Sequence, residues 1–279
     1  MGDWAWQWSG ADTLGKQPMP KADTHFQRKR PLIPEGRSKE QMLRMLVCSD
    51  APEEALRYHG FVCIAGVDEV GRGALFGPVV AGAVVLPAKT ARLQRMGLRD
   101  SKQLTREERE TLRREVVKCA VAHAVAEVDA ATIDRINIYQ ASRLAMRLAV
   151  DALGCTPDHL LIDAMRIDHP SAQTKLIYGD SLSVSIAAAS VLAKVHRDAM
   201  MREMDLQHPK YGLASHKGYA TPEHRRALEE HGPTQWHRRS FAPVAKCFGD
   251  EALEATIETT GLLFDDAEFL EEMEPCQSA

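Results

Sequence analysis

The sequence predicts a mixed α/β domain with a helical C-terminal part. Short apolar runs, most of them closed by Gly or an acidic residue, crowd the stretch from Val62 to Tyr178, and helical patterns at 184–204 and 222–231 follow them. At 279 residues and 44% hydrophobic side chains, the chain can bury a sizeable core.

The first fifty residues sustain no period of 2 or 3.6. Three Trp fall within residues 4–8, and a basic cluster, Arg28-Lys29-Arg30, precedes Pro31, so residues 1–52 read as a flexible leader. A domain over 53–248 then opens with a short helix around Glu53 to Tyr58. VCIAGV (62–67) reads as a buried strand, a Gly-rich turn follows at 71–73, and Pro78–Leu86 is a second strand, close enough to pair antiparallel as a hairpin. Thr105 with Glu108 is a capping box that opens a charged helix to Arg114 or beyond. Residues 119–128 alternate weakly and fit a third strand or a helix. Leu144, Ala145, Leu148 and Ala149 mark a helix over 138–153. HLLI (159–162) and KLIY (175–178) are short strands, 184–204 is an Ala-rich helix, and 222–231 is a helix with Pro222 in its first turn. Residues 249–279 read as an acidic, disordered tail.

Charge is uneven. The tail holds ten acidic residues and no Lys or Arg, which leaves 35 basic against 29 acidic residues in 1–248. A mildly basic body suits a polyanionic partner. The longest apolar run, Val79–Leu86, falls far short of the ~20 residues that span a bilayer. No basic start followed by an apolar stretch marks a secretory signal, and Trp6 stands where a myristoylation signal wants Ser or Thr. A soluble, cytoplasmic monomer with no membrane partner is expected. Six cysteines lie 15 or more residues apart, which disfavours thiolate metal sites and a disulfide framework. Neither GxGxxG nor GxxxxGK[ST] occurs.

Four acidic residues close apolar segments: Asp68 and Glu69 after VCIAGV, Asp163 after HLLI, and Asp180 just after KLIYG. Burying a lone carboxylate is costly, and several brought together repel one another. Taken singly, each also reads as a cap or a turn residue. As a set they suit a hard divalent cation, Mg²⁺ or Mn²⁺ rather than Zn²⁺. Gly71-Arg72-Gly73 follows the first pair after one residue, Val70, and its glycines let backbone N–H groups approach a phosphate or sugar beside that cation. A plain tight turn is the competing reading.

Taken together, GVDEVGRGALFGPVVAGAVVL (66–86), DSKQL (100–104), LLIDA (160–164), YGDSLSVSIAAASVLAKVHRD (178–198), HKGYATPEH (216–224) and GPTQWHRRSFAPV (232–244) resemble ribonuclease HII in order and spacing, over residues 60–246. The resemblance implies an RNase H-like mixed sheet flanked by helices, with Asp68, Glu69, Asp163 and Asp180 as catalytic metal ligands. It implies cleavage of the RNA strand of RNA–DNA hybrids and of duplex DNA containing single ribonucleotides, 5′ to the ribonucleotide, leaving 3′-hydroxyl and 5′-phosphate ends. It assigns Gly71, Arg72, Gly73 and Tyr219 to reading the 2′-hydroxyl, and Asp100, Ser101 and Lys102 to phosphate contact and site support. Two metal ions about 3.5–4 Å apart suit that hydrolysis. A 2′-hydroxyl both donates and accepts, so a glycine backbone can test for it.

Lys194, Arg197, Arg202, Lys217, Arg225, Arg238 and Arg239 are candidates for phosphate contact. The spacings of His216, His224, His231 and His237 are not those of a one-face metal site. They read as surface or hydrogen-bonding residues, with His216 and His237 within reach of phosphate. Three positions depart from the family pattern: Ala74 where Pro is common, Ala164-Met165 where Gly-Asn is common, and Leu182 where Lys is frequent. The related ribonuclease HIII fits less well, because it ends its carboxylate set with Glu. Two other readings compete: a hybrid-binding protein that no longer turns over, and an RNase H-like DNA endonuclease. In the tail, TGLLF (260–264) ends like a sliding-clamp docking segment, but the leading Gln is missing and an incidental apolar cluster is the favoured reading.

Overall fold

In the computed structural model, which describes residues 46–249, the chain enters through helix α1 (Ala51–Tyr58), with Pro52 in its first turn. Most of the leader, the acidic tail and TGLLF lie outside the described residues. Strands β1 (Ile64–Val70) and β2 (Val79–Val85) form the expected antiparallel hairpin, in register from Ala65–Val85 to Val70–Val80. β1 does not stop before its acidic residues. Asp68 and Glu69 stand opposite Gly82 and Ala81, so the ladder carries both carboxylates on the strand itself.

A short helix α2 (Ala91–Arg95) and a 3₁₀ turn at Ser101–Gln103 precede α3 (Arg106–Cys119). The capping box forms as read: Glu108 N donates to Thr105 Oγ1 at 3.3 Å, and Thr105 N donates to Glu108 Oε2 at 2.7 Å. The ambiguous segment resolves as β3 (Ala122–Val128), antiparallel to β2. Helix α4 (Ala130–Asp151) starts well before residue 138, capped by Asp129, whose Oδ1 accepts Thr132 N at 2.8 Å. Asn137 interrupts it at φ 64°, and its Oδ1 accepts Gln140 N at 3.0 Å. That local cap restarts the helix, which is why the periodic pattern became legible only from Ile138.

Strand β4 (His159–Asp163) runs parallel to β1, and β5 (Ala172–Leu176) runs parallel to β4. The strand expected over 175–178 is therefore displaced toward the N-terminus. As an edge strand, β5 is only half-buried and needs no apolar run. Tyr178 at φ 57° ends the extended backbone, and Asp180 sits in a 3₁₀ turn, Gly179–Ser181, rather than at a strand end. Helices α5 (Val184–Gln207), α6 (Leu213–His216), α7 (Pro222–His231) and α8 (Ala242–Ala245) complete the order. Among the described residues, no helix is long and apolar enough to cross a membrane.

The five-stranded mixed sheet has the order β3-β2-β1-β4-β5 and is flanked by helices, as expected. On one face Ala65, Val67, Ala81 and Ala83 pack against Ile133, Ala141, Ala145 and Met146 of α4. On the other, α5 lies very close: a Cβ on Gly66 would stand 2.1 Å from the Ser185 carbonyl carbon. Gly66 and the Ala-rich face of α5 give up side-chain volume so that helix and sheet backbones can touch. Because Val67 is in register with Ile162, Asp68 and Asp163 leave neighbouring parallel strands side by side, where the sheet changes from antiparallel to parallel pairing. Ligand sites of open α/β sheets favour such carboxyl ends.

Candidate active site

Asp68 is 4% exposed, and its Oδ1 accepts Glu69 N at 2.8 Å. Burial holds its carboxyl well above the usual carboxylate range, and the charges of Glu69, Asp163 and Asp180 push the same way. The nearby Ser190 hydroxyl favours the charged form. Glu69 is also raised by burial, against the pull of Arg72, whose Nη1 lies 3.4 Å from Oε1. Its other oxygen, Oε2, is buried without a hydrogen-bond partner. Asp163 is raised by burial, and its Oδ1 accepts Gly179 N at 2.7 Å. Asp180 is pushed up to about 6 by burial, although the Lys102 ammonium, 3.3 Å from Oδ2, opposes the shift. Burial works against the Lys102 charge, but Asp180, Asp100 and Asp68 together hold it above the usual lysine range.

These four carboxylates thus occupy one electrostatic neighbourhood and are under-compensated. Their oxygen donors and the orphaned Glu69 Oε2 fit a hard divalent cation. Among the described residues, no three such side chains already converge on one point as a finished cage.

The Asp100–Lys102 turn is fastened to the same place. Asp100 Oδ1 accepts Lys102 N at 2.9 Å, the Ser101 and Ser190 hydroxyls lie 2.9 Å apart, and Arg109 Nη1 donates to Ser101 O at 2.9 Å. Gly71–Gly73 borders the acidic pair. Gly71 has φ 91°, and a Cβ there would run into the Arg197 Nε at 2.3 Å, whereas a Cβ on Gly73 would meet nothing within 4 Å. The segment after it is threaded between two C-terminal stretches: Leu75 N donates to Gly218 O at 2.8 Å, Gly77 N to Trp236 O at 2.9 Å, and Ala74 bridges Tyr219. The Tyr219 ring is thereby brought beside the glycine loop, 5.5 Å from the Arg197 guanidinium.

The Ribonuclease HII family model matches residues 65–244, the stretch that builds this site. The chain belongs to the ribonuclease HII family. It is 52% identical to the ribonuclease HII of Koribacter versatilis over 224 residues, covering 80% of this chain and 87% of that one. The ribonuclease H2 of Pyrococcus horikoshii superposes with a TM-score of 0.60 at 26% identity, over 70% of this chain and 99% of that one. Bst-RNase HIII, solved in complex with Mn²⁺, shares the fold at a TM-score of 0.51 and 22% identity, over 70% of this chain and 72% of that one. Membership of the ribonuclease HII family makes the chain an enzyme, an RNase H-type endonuclease.

Two arginines of the expected phosphate-contact set are in fact interior. Arg197 and Arg238 are both 0% exposed. Arg197 donates to Pro78 O, Lys217 O and Phe76 O at 3.1, 2.9 and 3.0 Å, and Arg238 donates to Gly77 O and Arg72 O at 2.9 Å each. Their planar forks collect loop carbonyls that no strand pairs, which fixes the glycine loop from beneath. His237 is likewise buried, not at a phosphate-facing surface. Burial lowers it to about 3 and lowers His224 as well, so both rings are neutral. Their Nε2 atoms lie 3.3 Å apart, and His224 Nδ1 is 3.0 Å from Tyr219 O. His237 Nδ1 accepts Thr234 N at 2.9 Å, which assigns its proton to Nε2, donating to His224, whose Nδ1–H in turn holds the Tyr219 carbonyl. Sequence reasoning also missed Ser190; a hydroxyl amid the Ala-rich run of the helix was the available signal.

Proposed function

We propose that this family member is a divalent-cation-dependent endoribonuclease that cuts the RNA strand of RNA–DNA hybrids, and cuts duplex DNA 5′ to an embedded ribonucleotide. The carrying observation is the buried, under-compensated carboxylate set beside the Gly71–Tyr219 platform, with Glu69 Oε2 orphaned. In this reading Asp68, Glu69, Asp163 and Asp180 hold Mg²⁺ or Mn²⁺. Bound there, the cations supply the Lewis acidity that hydrolysis needs, at both the attacking water and the departing 3′-oxygen. Water adds to phosphorus, the bond to the 3′-oxygen breaks, and that oxygen takes up a proton, which leaves a 3′-hydroxyl and a 5′-phosphate on the ribonucleotide.

The chain's own residues orient the duplex. The open backbone at Gly73 and the exposed Arg72 tip face the sugar, and Tyr219 stacks on the neighbouring deoxyribose. Lys102, 78% exposed along its side chain yet paired with Asp180, reaches a phosphate and takes over for the lysine that Leu182 replaces. A labelled DNA duplex with one ribonucleotide, incubated with Mg²⁺ and then Mn²⁺, tests the proposal. One cut 5′ to the ribonucleotide is expected, absent with Asp68→Asn and with an all-DNA duplex. Tight binding without a cut would leave a hybrid-binding protein, and cutting of all-DNA duplexes a DNA endonuclease. Sliding-clamp docking through residues 260–264 belongs to the same reading; a clamp pull-down insensitive to Leu263→Ala and Phe264→Ala would remove it.

A further inference from the structure

We propose that Glu53 is a positioning residue for the Asp180 turn, acting through Ser183 and the first turn of α5. The inference rests on the reading of Asp180 as a cation ligand. Glu53 lies on α1, upstream of the stretch the family model matches, and is 0% exposed. Ser183 Oγ donates to Glu53 Oε1 at 2.5 Å, and Ser185 N donates to the same oxygen at 2.9 Å. Ser183 is also the cap of α5, its Oγ accepting Ile186 N at 3.2 Å, so the Glu53 carboxylate fixes which way that hydroxyl points.

The connection runs onward to the site. Ser183 N and Leu182 N both donate to Gly179 O, at 2.8 and 3.0 Å, closing the turn that contains Asp180. Gly179 N in turn donates to Asp163 at 2.7 Å. Backbone pairing braces the same turn from outside: Ser49 N donates to Leu182 O at 3.2 Å, and Val184 N donates to Ser49 O at 3.1 Å. The segment from Ser49 to Glu53 is therefore a clamp on a turn that orients two of the four carboxylates.

Packing alone does not call for this residue. A fully buried carboxylate is a poor space-filler, and an apolar side chain of similar volume fills such a place without the desolvation cost. Here one oxygen is engaged only with the α5 terminus, whose N–H groups and dipole favour a negative charge, and the other, Oε2, is buried without a partner. The acceptor oxygen Oε1 is spent on holding the turn.

Calorimetric titration of the full chain with Mn²⁺, with cleavage kinetics beside it, tests the proposal. Outer-shell partners of metal ligands typically govern affinity by about 10–100-fold. Glu53→Ala should therefore weaken Mn²⁺ binding about tenfold and lower kcat, with KM for the duplex unchanged. Glu53→Gln keeps an oxygen acceptor and should stay within about twofold of wild type. Leu153→Ala, a core truncation on the opposite face of the sheet, should lower stability without moving the affinity. Should Glu53→Ala not fold, Ser183→Ala cuts the same bond from the other side and is judged by the same criterion. Wild-type Mn²⁺ affinity in the folded variants would overturn the positioning role alone. A wild-type protein that binds no Mn²⁺ would overturn the cation reading and this role together.

Discussion

The hydroxyl of Ser190, on α5, stands 2.9 Å from that of Ser101 and also favours the charged form of the Asp68 carboxylate. One small side chain thus joins the Asp100–Lys102 turn to the central strand. Ser190→Ala removes both interactions, and a hydroxyl's interaction with a charged group contributes about 1.5–3 kcal/mol. Cleavage should fall by roughly tenfold or more, since about 1.4 kcal/mol is tenfold in rate. Ser101→Ala should fall similarly, and the double variant should lose far less than the product of the two. Independent, multiplicative losses in that cycle would mean that the link does not exist.

Ala164 follows Asp163 at φ 51°, a left-handed conformation, at a position where the family resemblance leads one to expect Gly. An L side chain there costs about 1–2 kcal/mol, partly offset by the lower entropy of an unfolded Ala. Ala164→Gly should therefore stabilise the protein by about 0.5–1 kcal/mol, read as a higher midpoint in urea at unchanged slope. A lower midpoint would show that the Ala methyl makes contacts worth more than the strain.

Ala164 also shows where the sequence was legible. Its departure from the pattern could be seen, but its backbone angle could not. The hairpin, the capping box and the Ala-rich helix were readable because each is governed by local chemistry or by a strict period. β5 escaped because an edge strand takes its pairing from a neighbour and not from an apolar run. That Asp68, Glu69, Asp163 and Asp180 form a set was legible because each closely follows an apolar segment, and the structure places them within electrostatic reach of one another. Arg197 and Arg238 were misread because a basic residue looks the same in sequence whether it meets phosphates or buried carbonyls. Glu53 gave no signal at all, since its partners lie 130 and 132 residues away.

Asp68 holds a carboxyl where its charge works against stability. Burial and three neighbouring carboxylates oppose its charge in the metal-free protein. Asp68→Asn keeps an oxygen to accept Glu69 N while removing that charge, and relieving such a buried charge stabilises by about 1–3 kcal/mol. The metal-free variant should melt some 2–4 °C higher per kcal/mol relieved. Adding Mn²⁺ should then raise the wild-type Tm and leave the variant's unchanged, and cleavage should be lost. A variant that melts lower than wild type in chelator, yet still gains from Mn²⁺, would remove Asp68 from the cation site.

The raised carboxyl of Asp180 gives the site a pH signature of known sign. Its pKa moves from an ordinary 3.8 to about 6, chiefly through burial, so the folded metal-free protein keeps a proton that the unfolded chain releases. That contribution to stability is fully present below 3.8 and is lost as pH rises through about 6; its size is about 3 kcal/mol at one pKa unit per 1.36 kcal/mol. Cation binding runs the other way, because the ligand must be ionised. Mn²⁺ affinity should fall by up to about tenfold per unit as pH drops below 6. His237, lowered by burial from 6.5 to about 3, loses stability as pH falls through that interval and masks the first effect in wild type alone. The difference between wild type and Asp180→Asn cancels the histidine. Urea unfolding in chelator at pH 4.5 to 8 should show wild type losing ground to the variant as pH rises, and a difference independent of pH would show that Asp180 titrates as an ordinary surface carboxylate.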